Sequence, residues 1–127
     1  MSKDSLHENA RTPDQLATFL LSRMNAGDVD GVVALYESEA VLVLPGGKVA
    51  RGTNSIRDFY ANLLANRPKF EAGEQSSPLI NGSIAITSSI LQNGTVTVEI
   101  ARLQTDGSWL WSIDNPAIGK AFDNSTG

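Results

Sequence analysis

Two carboxylic acids near the end of the chain, Glu99 and Asp114, are the residues best suited to carry chemistry. They flank the dipeptide Asp106-Gly107, and alternating residues run up to this dipeptide and away from it. A two-residue Asp-Gly loop between such runs predicts a hairpin, because both loop positions need a positive φ. With that turn, Glu99 lies opposite Asp114 on the neighbouring strand. Adjacent carboxyls resist being ionised together, so the pair can share a proton and act as general acid and base.

The same acids also have a structural interpretation. Arg51 or Arg102 could form an ion pair with either of them, and Asp114-Asn115-Pro116 could be only a turn that ends the strand. Arg51 is the stronger candidate partner, because the predicted register places Arg102 on the other face of the sheet. The single histidine, His7, lies in the polar amino-terminal stretch, and the chain has no cysteine. We therefore expect no bound metal and no other cofactor.

The composition predicts one globular domain. The chain has 127 residues, a formal net charge of −4 and 41% hydrophobic residues, which allows one domain with a core and is too short for two. It has neither the basic stripe of a nucleic-acid-binding protein nor a long apolar run that would span a membrane. Residues 1–11 lack the apolar segment of a signal peptide, so we expect a cytoplasmic protein. We assign residues 1–11 to a flexible leader, 12–118 to the domain and 119–127 to a tail.

Three helices are predicted in the first half of the chain. The capping residues that predict them are Thr12, Asp28 and Thr53. Apolar residues recur at helical spacing after each cap, and after Asp28 this stripe extends to Tyr36. Between the second and third helices, apolar and β-branched residues predict a strand over 40–44, and a Pro-Gly-Gly turn leads to a short strand over 48–51.

Beyond residue 68 the hydrophobic period changes from helical to two. Three turn sequences, Asn81-Gly82, Asn93-Gly94 and Asp106-Gly107, separate four antiparallel strands. The predicted strands span residues 69–80, 83–92, 95–105 and 108–115. Helices followed by such a meander predict an α+β domain, with three N-terminal helices packed on one face of a curved antiparallel sheet.

If every turn is a two-residue loop, the register divides the sheet into two apolar faces. The face under the helices carries both acids. Ser88 and Ser112 on that face are small and leave room for a small-molecule ligand. The opposite, outer face carries Trp109, Trp111, Val98 and Ile100. Because a monomer rarely exposes so large an apolar patch, we expect a homodimer through the outer face; the alternative is that the tryptophans pack under a loop or the C-terminal tail.

Several stretches resemble a known superfamily. Residues 25–36, NAGDVDGVVALY, together with Arg51-Gly52 and residues 56–62, IRDFYAN, resemble the ketosteroid isomerase branch of the nuclear transport factor 2-like superfamily. The ending, residues 106–116, is similar to the SnoaL-like proteins of that superfamily. The resemblance implies a cone-shaped domain in which helices and a curved sheet enclose a deep pocket, commonly as a dimer.

The resemblance also implies where the isomerase's catalytic groups would fall. Its general base corresponds to Leu44, its oxyanion-hole tyrosine to Leu20 and its second oxyanion acid to Glu99. Two of these three positions are leucine, so the isomerase's catalytic set is not retained. The resemblance places Tyr60 close to the pocket, and Tyr36 is a second candidate hydroxyl partner. The residues expected at the ligand site are Leu20, Tyr36, Leu44, Arg51, Tyr60, Ser88 and Ser112.

Two functions remain open on the sequence. The first is an enzyme of the isomerase, cyclase or hydrolase type, in which Glu99 and Asp114 transfer a proton on a small, mostly apolar carbonyl or hydroxyl compound. The second is a non-catalytic ligand-binding or dimerisation domain that keeps the pocket without the chemistry. The retained acid pair favours the first function, and the two leucines favour the second.

Overall fold

The computed structural model describes residues 7–121 of the chain. Its α-helices within this range are α1 (Gln15–Asn25), α2 (Val29–Val33) and α3 (Gly52–Leu63), and Pro45–Gly47 form a short 3-10 turn. Its strands there are β1 (Tyr36–Val43), β2 (Val49–Arg51), β3 (Glu74–Gln75), β4 (Leu79–Asn81), β5 (Ile84–Ile90), β6 (Thr95–Leu103) and β7 (Trp109–Lys120). The predicted α+β class is confirmed. No helix in these residues has the length and apolar character needed to cross a membrane.

The sheet is mixed, and its strand order is β2-β1-β7-β6-β5-β3, with β4 also paired to β5. The antiparallel run β5-β6-β7 agrees with the predicted meander, whereas the expected strand over 69–80 is only the two short strands β3 and β4. β1 pairs in parallel with β7 and begins at Tyr36, four residues earlier than predicted. The Trp111 N–H donates to the Leu35 carbonyl at 2.8 Å, so the chain is already paired with β7 at this point. Tyr36 therefore belongs to β1 and not to the predicted helix.

The helix caps agree with the sequence in part. The Asp28 side chain accepts a hydrogen bond from the Gly31 N–H at 2.9 Å and caps α2 as predicted. Thr12 forms the turn that precedes α1, because the Gln15 N–H donates to its carbonyl, and the helix begins two residues later than expected. α3 already begins at Gly52, so Thr53 lies inside the helix and does not cap it.

Two hairpin turns contain three residues rather than two. In the last hairpin the Gln104 N–H donates to the Ser108 carbonyl at 2.7 Å and closes a loop over residues 105–107, with Gly107 at φ +86°. The loop over residues 92–94 closes in the same way, with Gly94 at φ +87°. A type I turn followed by a left-handed glycine is the common three-residue hairpin. The longer loops shift each strand pairing by one residue from the predicted register.

The shifted register moves both tryptophans to the face under the helices. Ala101 pairs with Trp111 instead of Ser112. A bulge at Ser112 then shifts the register back by one, so Glu99 still pairs with Asp114 as predicted. Trp109 and Trp111 are 6% and 1% exposed and belong to the hydrophobic core. Their predicted place on the outer face is therefore wrong, because one extra loop residue exchanges the two faces of a strand.

The last residues of the assigned leader pack against the domain. Ala10 is buried, and its carbonyl accepts a hydrogen bond from the Trp109 N–H at 2.8 Å. The Arg11 guanidinium donates to the Asp106 carbonyl at 3.0 Å. Part of the assigned leader, residues 7–11, is thus in contact with the domain, whereas residues 1–6 lie outside the described range.

The final strand is longer than predicted. β7 pairs with β6 as far as Thr95 opposite Lys120, which passes both the expected strand end at residue 115 and the assigned tail boundary at 119. The Ala121 N–H also donates to the Gly94 carbonyl at 2.7 Å. The remainder of the predicted tail, residues 122–127, lies outside the described range.

Candidate functional site

A cavity of about 720 Å³ lies between the helices and the helix-facing side of the sheet. This volume is in the range of small-molecule sites. α1, α3, the segment after α3 and strands β6 and β7 supply its walls. Most of the lining is apolar, and its larger apolar side chains are Leu20, Leu21, Met24, Phe59, Leu63 and Phe70.

Glu99 and Asp114 form the acidic part of the cavity wall. They are directly paired on β6 and β7, and they are 7% and 3% exposed. Burial, followed by the charge of Glu99, raises the pKa of Asp114 to about 7, and the hydrogen bond from Tyr36 opposes this shift. Burial also raises the pKa of Glu99, against hydrogen bonds from Thr87 and Thr97. The pair can therefore hold and release a proton near neutral pH.

A chain of two tyrosine hydroxyls leads to Asp114. The Tyr36 hydroxyl donates to Asp114 Oδ2 at 2.5 Å, and the Tyr60 hydroxyl lies 2.7 Å from that of Tyr36. Because Tyr36 uses its proton on the carboxyl, Tyr60 donates to Tyr36. Burial raises the pKa of both tyrosines above their usual value, so both keep their protons at neutral pH. Tyr36 thus holds one oxygen of Asp114 and leaves Oδ1 without a donor among the described residues.

Glu99 is held by a neighbour that the sequence did not indicate. The Thr87 hydroxyl, which is fully buried, donates to Glu99 Oε1 at 2.6 Å. The predicted two-residue turn at Asn93-Gly94 paired Glu99 with Ser88, whereas the three-residue loop pairs it with Thr87. A three-residue assignment of this loop would have placed Thr87 on the acid face, and the same assignment of the loop at Asp106-Gly107 would have placed Trp111 there.

The structure brings some of the predicted site residues together. Leu20 and Tyr60 line the cavity, and Tyr36 reaches it through its bond to Asp114. Leu44 is only partly buried, packs against the core and is not among the lining residues. Arg51 is exposed at the start of α3, and neither acid has a basic partner among the described residues. The predicted Arg51 ion pair is therefore wrong.

The two predicted serines lie on the other side of the sheet. The Ser88 hydroxyl donates to the Thr97 carbonyl at 2.6 Å, within the β5-β6 ladder. Ser112 occupies the bulge, where its hydroxyl accepts from Arg102 Nη2 at 3.2 Å. Arg102 lies on the outer face as predicted, where it pairs with Glu37 at 2.9 Å. The serines lie on the outer face, and the tryptophans on the acid face, because the three-residue loops shift the strand register by one residue.

The cavity wall also contains two side-chain donors without partners. Trp111 Nε1 and Gln75 Nε2 are enclosed, and neither forms a hydrogen bond within the described part of the chain. Both residues line the cavity. A buried N–H left unpaired costs about 1–3 kcal/mol, and such groups are normally satisfied by protein, water or ligand. An oxygen atom in the cavity would be a suitable partner for either donor.

The segment that follows α3 is held over the cavity by Asn25. The Asn25 side chain donates to the Phe70 carbonyl at 3.0 Å and accepts from the Phe70 N–H at 2.7 Å. This pair of bonds holds Phe70 in the lining, and the exposed Lys69 and Glu71 on either side of it also border the cavity. Asn25 was not identified as a site residue from the sequence, because its partner is a backbone 45 residues away.

Comparison with solved structures defines the class of fold. A ketosteroid isomerase-like protein from Erwinia carotovora atroseptica is 20% identical, with a TM-score of 0.63 over 80% of this chain and 89% of that chain. A candidate dehydratase of the nuclear transport factor 2-like family from Streptomyces avermitilis is 15% identical, with a TM-score of 0.65 over 84% and 94%. A domain of unknown function with a cystatin-like fold from Nostoc punctiforme has a TM-score of 0.70 at 12% identity, over 88% and 76%. The chain has the α+β nuclear transport factor 2-like fold.

The family follows from the sequence match. The model of the SnoaL-like domain family matches residues 17–108, which cover most of the chain. The protein belongs to the SnoaL-like family. The resemblance inferred from residues 25–36 and 106–116 is thereby confirmed for family and fold. Activity does not follow from either match, because this scaffold hosts several chemistries.

Proposed function

We propose that this protein is an enzyme that transfers a proton on a small, mostly apolar carbonyl or hydroxyl compound bound in the cavity. The observation that carries the proposal is the buried Glu99–Asp114 pair in the cavity wall, with the Asp114 pKa raised to about 7. A general acid or base works best when its pKa lies near the working pH. A carboxyl in water would be ionised at neutral pH and would be a weaker base.

The two acids have different roles in this proposal. Asp114 is the general base, because Tyr36 binds its Oδ2 and leaves Oδ1 for the proton of the ligand. Glu99 is held by Thr87, and its charge raises the pKa of Asp114, which makes Asp114 a stronger base. Proton transfer would thus depend on an acid of β7, while the positions that correspond to the isomerase's base and tyrosine are Leu44 and Leu20.

The alternative is a ligand-binding domain without catalysis. Its support is the apolar lining, in which Leu20 occupies the position of the isomerase's oxyanion tyrosine. In such a domain Glu99 and Asp114 would provide only hydrogen bonds to the ligand.

The test of the proposal is exchange of the α-protons of β-tetralone in deuterated buffer, followed by NMR. A base in the cavity is expected to accelerate the exchange over buffer alone, because exchange needs only abstraction and return of one proton. The double variant Glu99→Gln/Asp114→Asn is expected to lose this acceleration, and Asp58→Asn, on the exposed surface of α3, is expected to keep it. Binding of the ketone by the wild-type protein without exchange would contradict the proposal and support the alternative.

We also propose a homodimer through the outer face of the sheet. The tryptophans are absent from this face, but Val98 and Ile100 remain there, partly buried. Isoleucines surround them on the neighbouring strands, and Ile86, Ile90 and Ile113 are 42%, 41% and 45% exposed. Contiguous exposed apolar residues on a sheet mark an association surface.

The dimer is tested by one charged substitution on each of two surfaces. Ile113→Glu is expected to convert the wild-type dimer to a monomer at micromolar concentration in light scattering, because burial of an unpaired charge is unfavourable. Ile80→Glu is the matched control, since Ile80 is also exposed but pairs with Ala85 and so lies on the helix-facing side of the sheet. A monomeric wild-type protein, or equal dissociation of both variants, would overturn the proposed interface.

A further inference from the structure

We infer that the carbonyl or hydroxyl compound bound in the cavity also carries a protonated amine. The inference rests on the proposed function, because it concerns the ligand of the same cavity and the same acid pair. Three features of the cavity support it: the acceptors at the acid pair, the lack of a basic partner for these acids, and the aromatic rings beside them.

Asp114 offers the amine an acceptor that the protein does not use. Oδ2 accepts the hydrogen bond from Tyr36, and Oδ1 has no donor in the described part of the chain. Glu99, its direct neighbour on β6, is held at Oε1 by Thr87. A hydrogen bond from an ammonium group to a carboxylate is about twice as strong as one between neutral groups.

The charged and titratable groups around the acids would not compete with an amine. Those next to the pair are Tyr36 from β1 and Tyr60 from α3, and both are neutral donors. Helix α1 contributes only uncharged side chains to the lining. Among the described lining residues the one cation is Lys69, which is exposed and donates to the Asn25 carbonyl. A ligand cation would therefore relieve the repulsion between the two acids, whereas a ligand anion would add to it.

Aromatic rings beside the acids suit a cationic nitrogen. Tyr60 and Trp111 line the cavity together with Asp114, and Phe59 packs edge-on against Tyr60 at 5.2 Å between ring centroids. A cation over an aromatic face is attracted by the negative face of the ring, most strongly where water is excluded. The enclosed Trp111 Nε1–H needs an acceptor, which the oxygen of the same ligand can supply. An amino alcohol or amino ketone on an apolar body meets all of these requirements.

The test compares three compounds that share one naphthyl ring and one hydroxyl on the adjoining carbon. They are the amino alcohol, the diol and the hydroxy acid, which are cationic, neutral and anionic at neutral pH. Isothermal titration calorimetry of the full chain is expected to give a dissociation constant for the amino alcohol roughly tenfold lower than for the diol. The hydroxy acid is expected to bind at least roughly tenfold more weakly than the diol.

Two variants connect the preference to the acid pair. Glu99→Gln/Asp114→Asn is expected to bind the amino alcohol and the diol equally, because the two amides keep acceptor oxygens but carry no charge. Glu71→Gln is the matched control: it removes a carboxylate from the exposed rim and is expected to keep the preference for the amine. The diol measurement also shows that each variant retains a folded cavity.

Three outcomes would overturn the inference. They are equal binding of the amino alcohol and the diol by the wild-type protein, a preference for the amine that survives in the double variant, and tight binding of the hydroxy acid that is lost in Lys69→Met. None of these affects the proposed proton transfer, which depends on exchange of the ketone protons. Conversely, an amine preference without any ketone exchange would overturn the catalytic proposal and leave the charge selectivity of the cavity standing.

Discussion

Replacing Asp114 with asparagine is expected to slow the exchange of β-tetralone α-protons by about a hundred- to ten-thousand-fold. The amide has nearly the same shape as the carboxyl and can still accept the hydrogen bond from Tyr36, but it cannot take up a proton. Glu99→Gln is expected to have a smaller effect, because it leaves the base in place and removes only a neighbouring acid. NMR-monitored exchange rates of the two single variants measure this difference. Equal losses in both variants would contradict the assignment of Asp114 as the base.

The dependence on pH provides a second measure of the same role. Exchange by the wild-type protein is expected to rise with pH through about 7, because the ionised Asp114 is the active form and its pKa is raised to about 7. The charge of Glu99 contributes to that rise in pKa, so Glu99→Gln is expected to move the midpoint to lower pH. A midpoint that stays in place in this variant would show that the two acids are not coupled.

The stability of the protein also depends on this carboxyl, with a definite sign. The folded state holds the Asp114 proton more tightly than the unfolded chain, whose carboxyl has its usual pKa of 3.8. The contribution of Asp114 to stability is therefore fully present below that value and is lost as pH rises through about 7. Asp114→Asn does not ionise, so it is expected to remain folded at neutral pH. Urea unfolding at acidic and neutral pH checks that lost activity is not lost structure.

Trp111→Ala is expected to lower the free energy of unfolding by about 3–5 kcal/mol. Trp111 is 1% exposed, packs against the ring of Tyr36 at 5.4 Å between centroids and lies between the sheet and the helices. Removing the indole would leave a cavity that the surrounding β-sheet can fill only in part. Urea denaturation followed by circular dichroism measures the loss.

The control for this substitution lies at the end of the neighbouring strand. Leu103→Ala, at a side chain that is 38% exposed, is expected to cost less than about 1 kcal/mol. If Trp111→Ala cost as little as Leu103→Ala, the indole would have to lie on the outer face, where two-residue turns would place it. The experiment therefore tests the register as well as the packing.

The site shows where sequence reasoning succeeded and where it could not. Glu99 and Asp114 were predicted to pair, and they do pair. The pairing survives because the extra residue in the turn shifts the register by one, and the bulge at Ser112 shifts it back. Ser112 lies at the bulge itself, and Ser88 lies on β5, where no bulge offsets the extra residue of the loop over 92–94. Both serines were therefore assigned to the wrong face. Register has a period of two residues, so a single residue in a loop reverses every side chain of a strand.

The sequence by itself determined the family, the α+β class, the helices of the first half and the two acids of the site. These depend on local patterns, because caps, turns and hydrophobic periods involve residues close together in the chain. Only the tertiary structure decided on which face Trp111 lies and which hydroxyls donate hydrogen bonds to the acids. It also decided that Arg51 does not pair with either acid. These depend on loop length, on the bulge and on the parallel pairing of β1 with β7, which join residues up to 78 positions apart, as from Tyr36 to Asp114. Contacts at such a separation leave no periodic mark in the sequence, because each partner meets only its own local requirements.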